Sequence, residues 1–136
     1  MTTEGKIIQA WQKKDIGITN IGYKDGSYRD SIHRYRDGIK KYFLWDTCIF
    51  WQDHVGNLFI KLSSEQDAGN YYQYGRMKDV VITNTTKNRL NMFLILYGFS
   101  TLKQKNKKIY YNDSILEVDK IYRLNTENKI LELVQE

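Results

Sequence analysis

One helix is marked at both of its ends in the stretch TTKNRLNMFLILYG, residues 85–98. Thr85 or Thr86 can accept a hydrogen bond from the first free backbone N–H groups, and Gly98 suits the left-handed residue that closes a helix. Apolar side chains between these ends recur at helical spacing, which predicts a central helix, about 85–97, packed against a sheet. The predicted buried side consists of Leu90, Phe93, Leu94 and Tyr97, widened by Met92, Ile95 and Leu96.

Upstream of this helix, the sequence predicts a hairpin centred on Asp37-Gly38. This dipeptide separates the alternating residues 31–36 from the strand-like residues 39–45. An Asp-Gly pair between two such segments is a strong hairpin signal. The alternation places Ile32, Arg34 and Arg36 on one side of the strand and His33 and Tyr35 on the other.

A second hairpin is predicted around residues 53–57, where it joins residues 47–51 to residues 58–62. The buried face of its second strand is marked by Leu58, Ile60 and Leu62. Because the two hairpins follow each other directly along the chain, we expect their strands to form an antiparallel meander.

Shorter elements are predicted before the meander. An amphipathic helix is expected over residues 3–14, and a loop or irregular strand over residues 16–23 leads to a turn at Asp25-Gly26. The apolar side of this N-terminal helix consists of Ile7, Ile8 and Trp11.

Further elements are predicted on both sides of the central helix. A long loop over residues 63–78 and a short strand over residues 79–83 precede it. After it, one hairpin turns at residues 105–108, and a last hairpin joins residues 115–124 to residues 129–134.

These elements predict an α+β fold: a mostly antiparallel β-sheet, built as a meander of hairpins, packed by one central helix and a short N-terminal helix. A chain of 136 residues has the size of one domain. We therefore expect a single domain over residues 1–136.

The sequence contains no signal for a membrane protein. Its longest apolar run, residues 92–97, is far shorter than the roughly 20 residues that span a bilayer. Residues 1–9 lack the apolar segment of a signal peptide, and Cys48 is the only cysteine, so no internal disulfide is expected. These features favour a cytoplasmic location.

Residues that support catalysis are few. His33, His54 and Cys48 do not fall at recognised metal-ligand spacings. Cys48 lies in an apolar segment, where a buried and unreactive thiol is expected. The sequence has no Gly-rich phosphate loop and no HExxH pair. We therefore predict no enzyme activity, no metal and no cofactor.

Charge and aromatic content favour nucleic-acid binding instead. The net charge is +5, and the chain contains eleven tyrosines. Tyrosine stacks on bases, while lysine and arginine neutralise phosphates. The predicted contact residues are Arg29, His33, Arg34, Tyr35, Arg36, Lys40, Lys41, Tyr71, Tyr72, Tyr74, Lys103, Lys105, Lys107 and Lys108.

Two alternatives to this interpretation come from the same residues. The lysines can simply form a solvated surface, and Arg34 and Arg36 can point outward on an edge strand, where charge discourages aggregation. If these two arginines bind nucleic acid, we expect their replacement by alanine to weaken binding without lowering thermal stability.

Three segments, YFLWDTCI at residues 42–49, GNLFI at 56–60 and TTKNRLN at 85–91, resemble a group of small phage-encoded domains of uncharacterised function. In those domains a threonine-rich helix start follows a short tyrosine-containing hairpin. The resemblance covers roughly residues 28–112, supplies no catalytic residues and implies a phage or mobile-element origin. The absence of proline, typical of an AT-rich genome, agrees with that origin.

A phage origin adds two further hypotheses. The protein can be an anti-defence, anti-CRISPR-like inhibitor that binds a host protein or ribonucleoprotein complex in the cytoplasm of a bacterial cell. Large amphipathic rings anchor protein interfaces, and the tyrosines at residues 71–74 would supply them. The other hypothesis is a virion or assembly component.

Overall fold

The computed structural model describes residues 1–24, 26–62, 82–118 and 120–134. Within these ranges it contains two α-helices and ten β-strands, so the predicted α+β fold is confirmed. The helices are α1 (Thr3–Gln12) and α2 (Asn84–Leu96). The strands are β1 (Gly17–Lys24), β2 (Ser27–Arg34), β3 (Lys40–Leu44), β4 (Thr47–Gln52), β5 (Leu58–Lys61), β6 (Leu102–Lys105), β7 (Lys108–Tyr111), β8 (Ser114–Leu116), β9 (Ile121–Asn125) and β10 (Ile130–Leu133).

The strands form two antiparallel sheets. The larger one has seven strands in the order β1-β2-β3-β4-β5-β9-β10, and the smaller one has the order β6-β7-β8. Strands β2 to β5 are therefore the predicted meander, to which β1 adds a further strand. The hairpins at Asp37-Gly38 and at residues 53–57 are confirmed. The hairpins at residues 105–108 and 125–128 are also confirmed, as β6–β7 and β9–β10.

One face of the large sheet and the two helices enclose the core. Ile32, Tyr42, Phe50, Ile60 and Tyr122 are paired in one row across β2, β3, β4, β5 and β9. All five are at most 5% exposed. The ring of Phe93 in α2 stacks on Phe50 at 4.2 Å between centroids, and Trp11 in α1 meets Phe93 edge-on at 5.0 Å. Both helices thus lie on the same face of the sheet.

A β-bulge in β4 changes the alternation of side chains. Tyr42 pairs with Phe50 while Phe43 pairs with Cys48, so Ile49 is an extra residue with no partner of its own in β3. Ile49 and Phe50 are both fully buried in the core. In a regular strand, side chains alternate between the two faces of the sheet, so residues 48 and 51 would lie on different faces. The extra residue shifts this alternation by one position, and Cys48 and Trp51 therefore both lie on the face opposite to the core.

Helix α2 begins earlier than the sequence indicates. Its cap is Thr83, whose hydroxyl accepts a hydrogen bond from the Thr86 backbone N–H at 3.2 Å. The predicted cap at Thr85 or Thr86 is therefore wrong, because both of these residues already lie inside the helix. The predicted end is confirmed, since Gly98 has a φ of 80° and donates its N–H to the Ile95 carbonyl.

The buried side of α2 also differs in part from the prediction. Leu90, Met92, Phe93 and Leu94 are buried as expected, whereas Ile95 is 63% exposed. Two polar residues, Thr86 and Arg89, are buried with them. The helix thus contacts the rest of the protein through a mixed surface rather than a purely apolar one.

Three smaller predictions need correction. Residues 16–23 are largely a regular strand, β1, rather than a loop. Residues 115–124 contain the end of one strand, β8, and most of another, β9, instead of one continuous strand. Ile82 and Thr83 are not in a strand, while the rest of the strand predicted over 79–83 and the loop predicted over 63–78 lie outside the described residues.

A buried charge network joins the helices to the sheet. Asp30, with no exposed surface, accepts hydrogen bonds from Arg89 Nε at 2.8 Å, from Arg29 Nε at 3.0 Å and from the Tyr42 hydroxyl. Burial, and next the Asp30 charge, raise the pKa of Tyr42 far above its usual value. Gly22 makes room for this contact, since a Cβ there would lie only 3.1 Å from Asp30 Oδ2.

Candidate nucleic-acid interface

The second face of the large sheet lies away from both helices. One row of paired residues crosses it from β2 to β9: His33, Lys41, Trp51, Phe59 and Arg123. Apart from Arg123, which is exposed, these side chains are half-buried. We call this surface the open face, and it consists of His33, Lys41, Phe43, Cys48, Trp51, Phe59, Lys61 and Arg123.

Aromatic rings form flat surfaces on the open face. Trp51 and Phe59, on neighbouring strands, are stacked with centroids 5.5 Å apart and planes inclined by 15°. The imidazole of His33 lies 4.6 Å from the ring of Phe43. Because the four side chains are only half-buried, part of each remains accessible for contact with another planar group.

Cations accompany these rings. Lys41 and Lys61 have no carboxylate within 4 Å in the described part of the chain, and both charges act on the thiol of Cys48. Arg123 is compensated, because its Nη2 lies 2.6 Å from Glu132 Oε1. The open face thus offers, beside its aromatic rings, two ammonium groups that have no carboxylate partner among the described residues.

His33 is the titratable group of the open face. Its Nε2 lies 3.3 Å from Ser31 Oγ, and its Nδ1 lies 3.4 Å from the Tyr35 hydroxyl. Burial, and then the neighbouring Lys41 charge, lower the pKa of His33 below its usual value of 6.5. This lowered pKa favours the neutral imidazole at pH 7.

Cys48 is a poor nucleophile in this environment. Burial raises the pKa of its thiol to about 11, and the charges of Lys41 and Lys61 offset only part of that effect. The Sγ atom also lies 3.7 Å from the carbonyl oxygen of Phe50. Since the thiolate is the reactive form, the thiol is almost entirely unreactive at neutral pH.

Arg34 and Lys40, both predicted to contact nucleic acid, lie on the helix-covered side of the sheet. Arg34 is 6% exposed and donates to the Asp15 carbonyl at 2.8 Å and to Thr19 Oγ1 at 2.9 Å. Lys40 Nζ donates to the Trp11 carbonyl at 2.9 Å. Since β2 lies between β1 and β3, the alternative that Arg34 points outward on an edge strand is wrong.

The other predicted residues of the β2–β3 region have different positions. Arg29 is bound to Asp30, whereas Tyr35 and Arg36 are exposed just after β2. The ring of Tyr35 nevertheless adjoins the open face, since Lys41 Nζ lies 5.5 Å from its centroid. Of the predicted set, His33, Lys41 and Tyr35 are thus brought together.

The predicted lysines 103, 105, 107 and 108 belong to the small sheet. They surround the β6–β7 turn, where Asn106 and Lys107 have φ values of 51° and 65°. Strand β6 packs against α2, so these lysines are not part of the open face. Tyr71, Tyr72 and Tyr74 lie outside the described residues.

Sequence reasoning missed the aromatic part of the open face. Phe43 and Phe59 each alternate with buried neighbours in their strands. This alternation indicates that both rings lie on the face opposite to the core. Trp51 was harder to assign because the bulge at Ile49 breaks the alternation in β4. Lys61 follows Phe59 by two residues and was recognisable in the same way.

The open face combines half-buried aromatic rings with lysine, arginine and histidine side chains. No cluster of three His, Cys, Asp or Glu residues suited to a metal ion occurs among the described residues. No helix in the described ranges is long and apolar enough to cross a membrane. What the open face provides is planar rings for stacking and ammonium groups for phosphate oxygens.

Comparison with known proteins gave no match to a family model, a curated protein or a solved structure. The resemblance to small phage-encoded domains therefore stays a prediction. Any functional conclusion rests on the geometry of the chain itself.

Proposed function

We propose that this protein binds single-stranded nucleic acid on the open face of its seven-stranded sheet. The observation behind this proposal is the row from His33 to Arg123, in which the stacked rings of Trp51 and Phe59 lie between cationic side chains. Sheets that bind single strands combine these features: aromatic side chains stack on bases, and lysine or arginine contacts the phosphates.

Single strands fit this surface better than a duplex. Bases inside a double helix are stacked on each other and cannot stack on protein rings, whereas those of a single strand can. At about 4.8 Å between strands, the row from β2 to β9 extends over about 19 Å. This length accommodates several nucleotides along the aromatic surface.

The direct test is a fluorescence-anisotropy titration of labelled single-stranded DNA and RNA at several salt concentrations. We expect binding that weakens as salt rises, because phosphate contacts release counterions. Replacing both Lys41 and Lys61 by glutamine should lower the slope of log K against log salt by about 0.7 for each lost contact. The matched control replaces Lys6 and Lys87, on α1 and α2, which removes the same charge away from the open face.

The stacking contribution can be measured separately. Replacing Trp51 by leucine keeps an apolar side chain but removes the planar ring, and we expect a loss of about 1–3 kcal/mol in binding free energy. The salt slope should remain unchanged in this variant, because no cation is lost. Absence of binding by the wild-type protein at low salt, or equal losses in the Lys6/Lys87 control, would contradict the proposal.

A further inference from the structure

A basic cleft opens between the end of α1 and the turn that joins β2 to β3. It has a volume of about 530 Å³. Of the described residues that line it, five are cations and only Asp37 is an acid. The five cations are Lys13, Lys14, Arg34, Arg36 and Lys40.

Two of these cations donate hydrogen bonds to backbone carbonyls in the wall of the cleft. Arg34 Nη1 donates to the Ala10 carbonyl at 3.3 Å, and Lys40 Nζ donates to the Trp11 carbonyl. They thereby satisfy carbonyls at the C-terminal end of α1, whose last turn contains no basic residue. Burial, and then the charge of Arg34, lower the pKa of Lys40.

The other three cations are available to a ligand. Lys13, Lys14 and Arg36 are exposed, and none has a carboxylate within 4 Å in the ranges that the structure describes. The neighbouring Asp15 lies 3.7 Å from Arg34 Nε and is thus engaged with the wall. This charge makes the cleft complementary to a compact anion with more than one negative charge.

Tyr35 connects the cleft to the open face. Its ring lines the cleft, while its hydroxyl lies 3.4 Å from His33 Nδ1 and Lys41 Nζ lies above its ring. Ile16, 62% exposed, adds an apolar patch to the same cleft. A ligand with a phosphate in the cleft can therefore place a base or sugar against Tyr35.

We propose that this cleft binds a phosphate monoester, either at the terminus of a nucleic-acid strand or on a free nucleotide. A monoester has a charge of about −1.5 to −2 at pH 7, whereas each internal diester has only one negative charge, so the three available cations favour the former. The version with a strand terminus rests on the proposed function, because the rest of the strand would follow the open face beyond Tyr35. The version with a free nucleotide does not need the open face.

The test compares one oligonucleotide in 5′-phosphorylated, 3′-phosphorylated and unphosphorylated forms, together with adenosine monophosphate and inorganic phosphate. We expect one phosphorylated oligonucleotide to bind about tenfold more tightly than the unphosphorylated one. Replacing Lys13, Lys14 and Arg36 by glutamine should abolish this preference while binding of the unphosphorylated strand persists. The control replaces Lys103, Lys105 and Lys108, which removes the same charge from the small sheet.

The outcomes separate the two proposals. In one outcome, a phosphorylated oligonucleotide binds more tightly than the unphosphorylated one to the wild-type protein and to the control variant, but not to the cleft variant. This result supports the site at a strand terminus. In a second outcome, the wild-type protein and the control variant bind adenosine monophosphate, the cleft variant does not, and no oligonucleotide binds to any of them. This result supports the monoester site and refutes the proposed function. Equal affinity for all three oligonucleotides, without binding of adenosine monophosphate or inorganic phosphate, overturns the monoester site and leaves the open face standing.

Discussion

Arg34 and Arg36 are two residues apart, yet their environments are opposite. Arg34 is enclosed between α1 and β1, with three hydrogen bonds from its guanidinium to Asp15, Ala10 and Thr19. Arg36 lies exposed in the 3₁₀ turn after β2. Equal charge at the two positions therefore has unequal consequences for folding.

We expect Arg34→Ala to lower the free energy of unfolding by about 1–3 kcal/mol, because it leaves buried acceptors without a donor. Arg36→Ala, the matched control, should change it by less than about 0.5 kcal/mol. Urea denaturation of the two variants measures the difference. Equal stability of both variants would show that the contacts of Arg34 contribute nothing, and this prediction replaces the expectation from sequence that neither substitution affects stability.

His33 makes the open face sensitive to pH. Its pKa is below 6.5 in the free protein, and an adjacent phosphate favours the protonated ring, so nucleic-acid affinity should rise as pH falls through this range. At pH 5.5 the salt slope should be larger than at pH 7.5, by at most the roughly 0.7 that one added cation contributes. Titrations at both pH values, with His33→Gln as the test and His54→Gln in the β4–β5 turn as the control, measure this effect.

The same lowered pKa sets the sign of the stability change. Below pH 6.5 the unfolded chain binds a proton at His33 more readily than the folded protein does. The contribution of His33 to stability is therefore present above pH 6.5 and is lost as pH falls. A pH dependence of binding that is identical in wild type and His33→Gln would exclude His33 as its source.

At the scale of elements, α2 depends on a cap that the sequence places elsewhere. The hydroxyl of Thr83 satisfies the Thr86 N–H, so Thr83→Ala should cost about 1 kcal/mol of stability. Thr85→Ala lies in the first turn and should change stability by less than about 0.5 kcal/mol, since alanine favours helix. Thermal unfolding of both variants distinguishes the caps: a larger loss for Thr85→Ala would restore the cap predicted from sequence.

The success of the sequence predictions depends on how local each signal is. Asp37-Gly38 and the alternation in residues 58–62 lie within one hairpin each, and the structure confirms both. The pairing of β5 with β9 has no local signal, because the two strands are separated by α2 and the small sheet. Four consecutive residues at the start of α2, Thr83 to Thr86, are threonine or asparagine and offer similar caps, which explains the wrong assignment.

The candidate site was predictable only in part for a similar reason. The predicted site groups charged residues that are close in sequence. Neighbouring residues of a strand, however, point to opposite faces of the sheet. His33 and Lys41 therefore lie on the open face, while Arg34 and Lys40 lie under α1. The half-buried rings of Phe43, Trp51 and Phe59 are not in the predicted set, because aromatic residues in strands are more often part of a core than of a binding surface.

At the scale of the whole molecule, the large sheet separates the packed core from the face to which we assign binding. Asp30, Arg89 and Glu4 connect β2 to both helices on one face, and the stacked rings of Phe50 and Phe93 pack beside them. The opposite face contains the side chains that we assign to nucleic acid. Substitutions on the open face should consequently alter binding while leaving the core intact.

The bulge in β4 also determines where this chain can change its length. Losing one residue from a regular strand moves every following side chain to the other face. Loss of Ile49 would instead leave Tyr42 opposite Phe50 and Phe43 opposite Cys48, because the bulge already gives them those partners. This deletion would remove one buried side chain from the core, but it would not move the core residues of β4 to the surface or its surface residues to the core. We therefore expect the deletion of Ile49 to preserve the surface around Trp51, whereas the deletion of a residue of β4 outside the bulge would exchange core and surface.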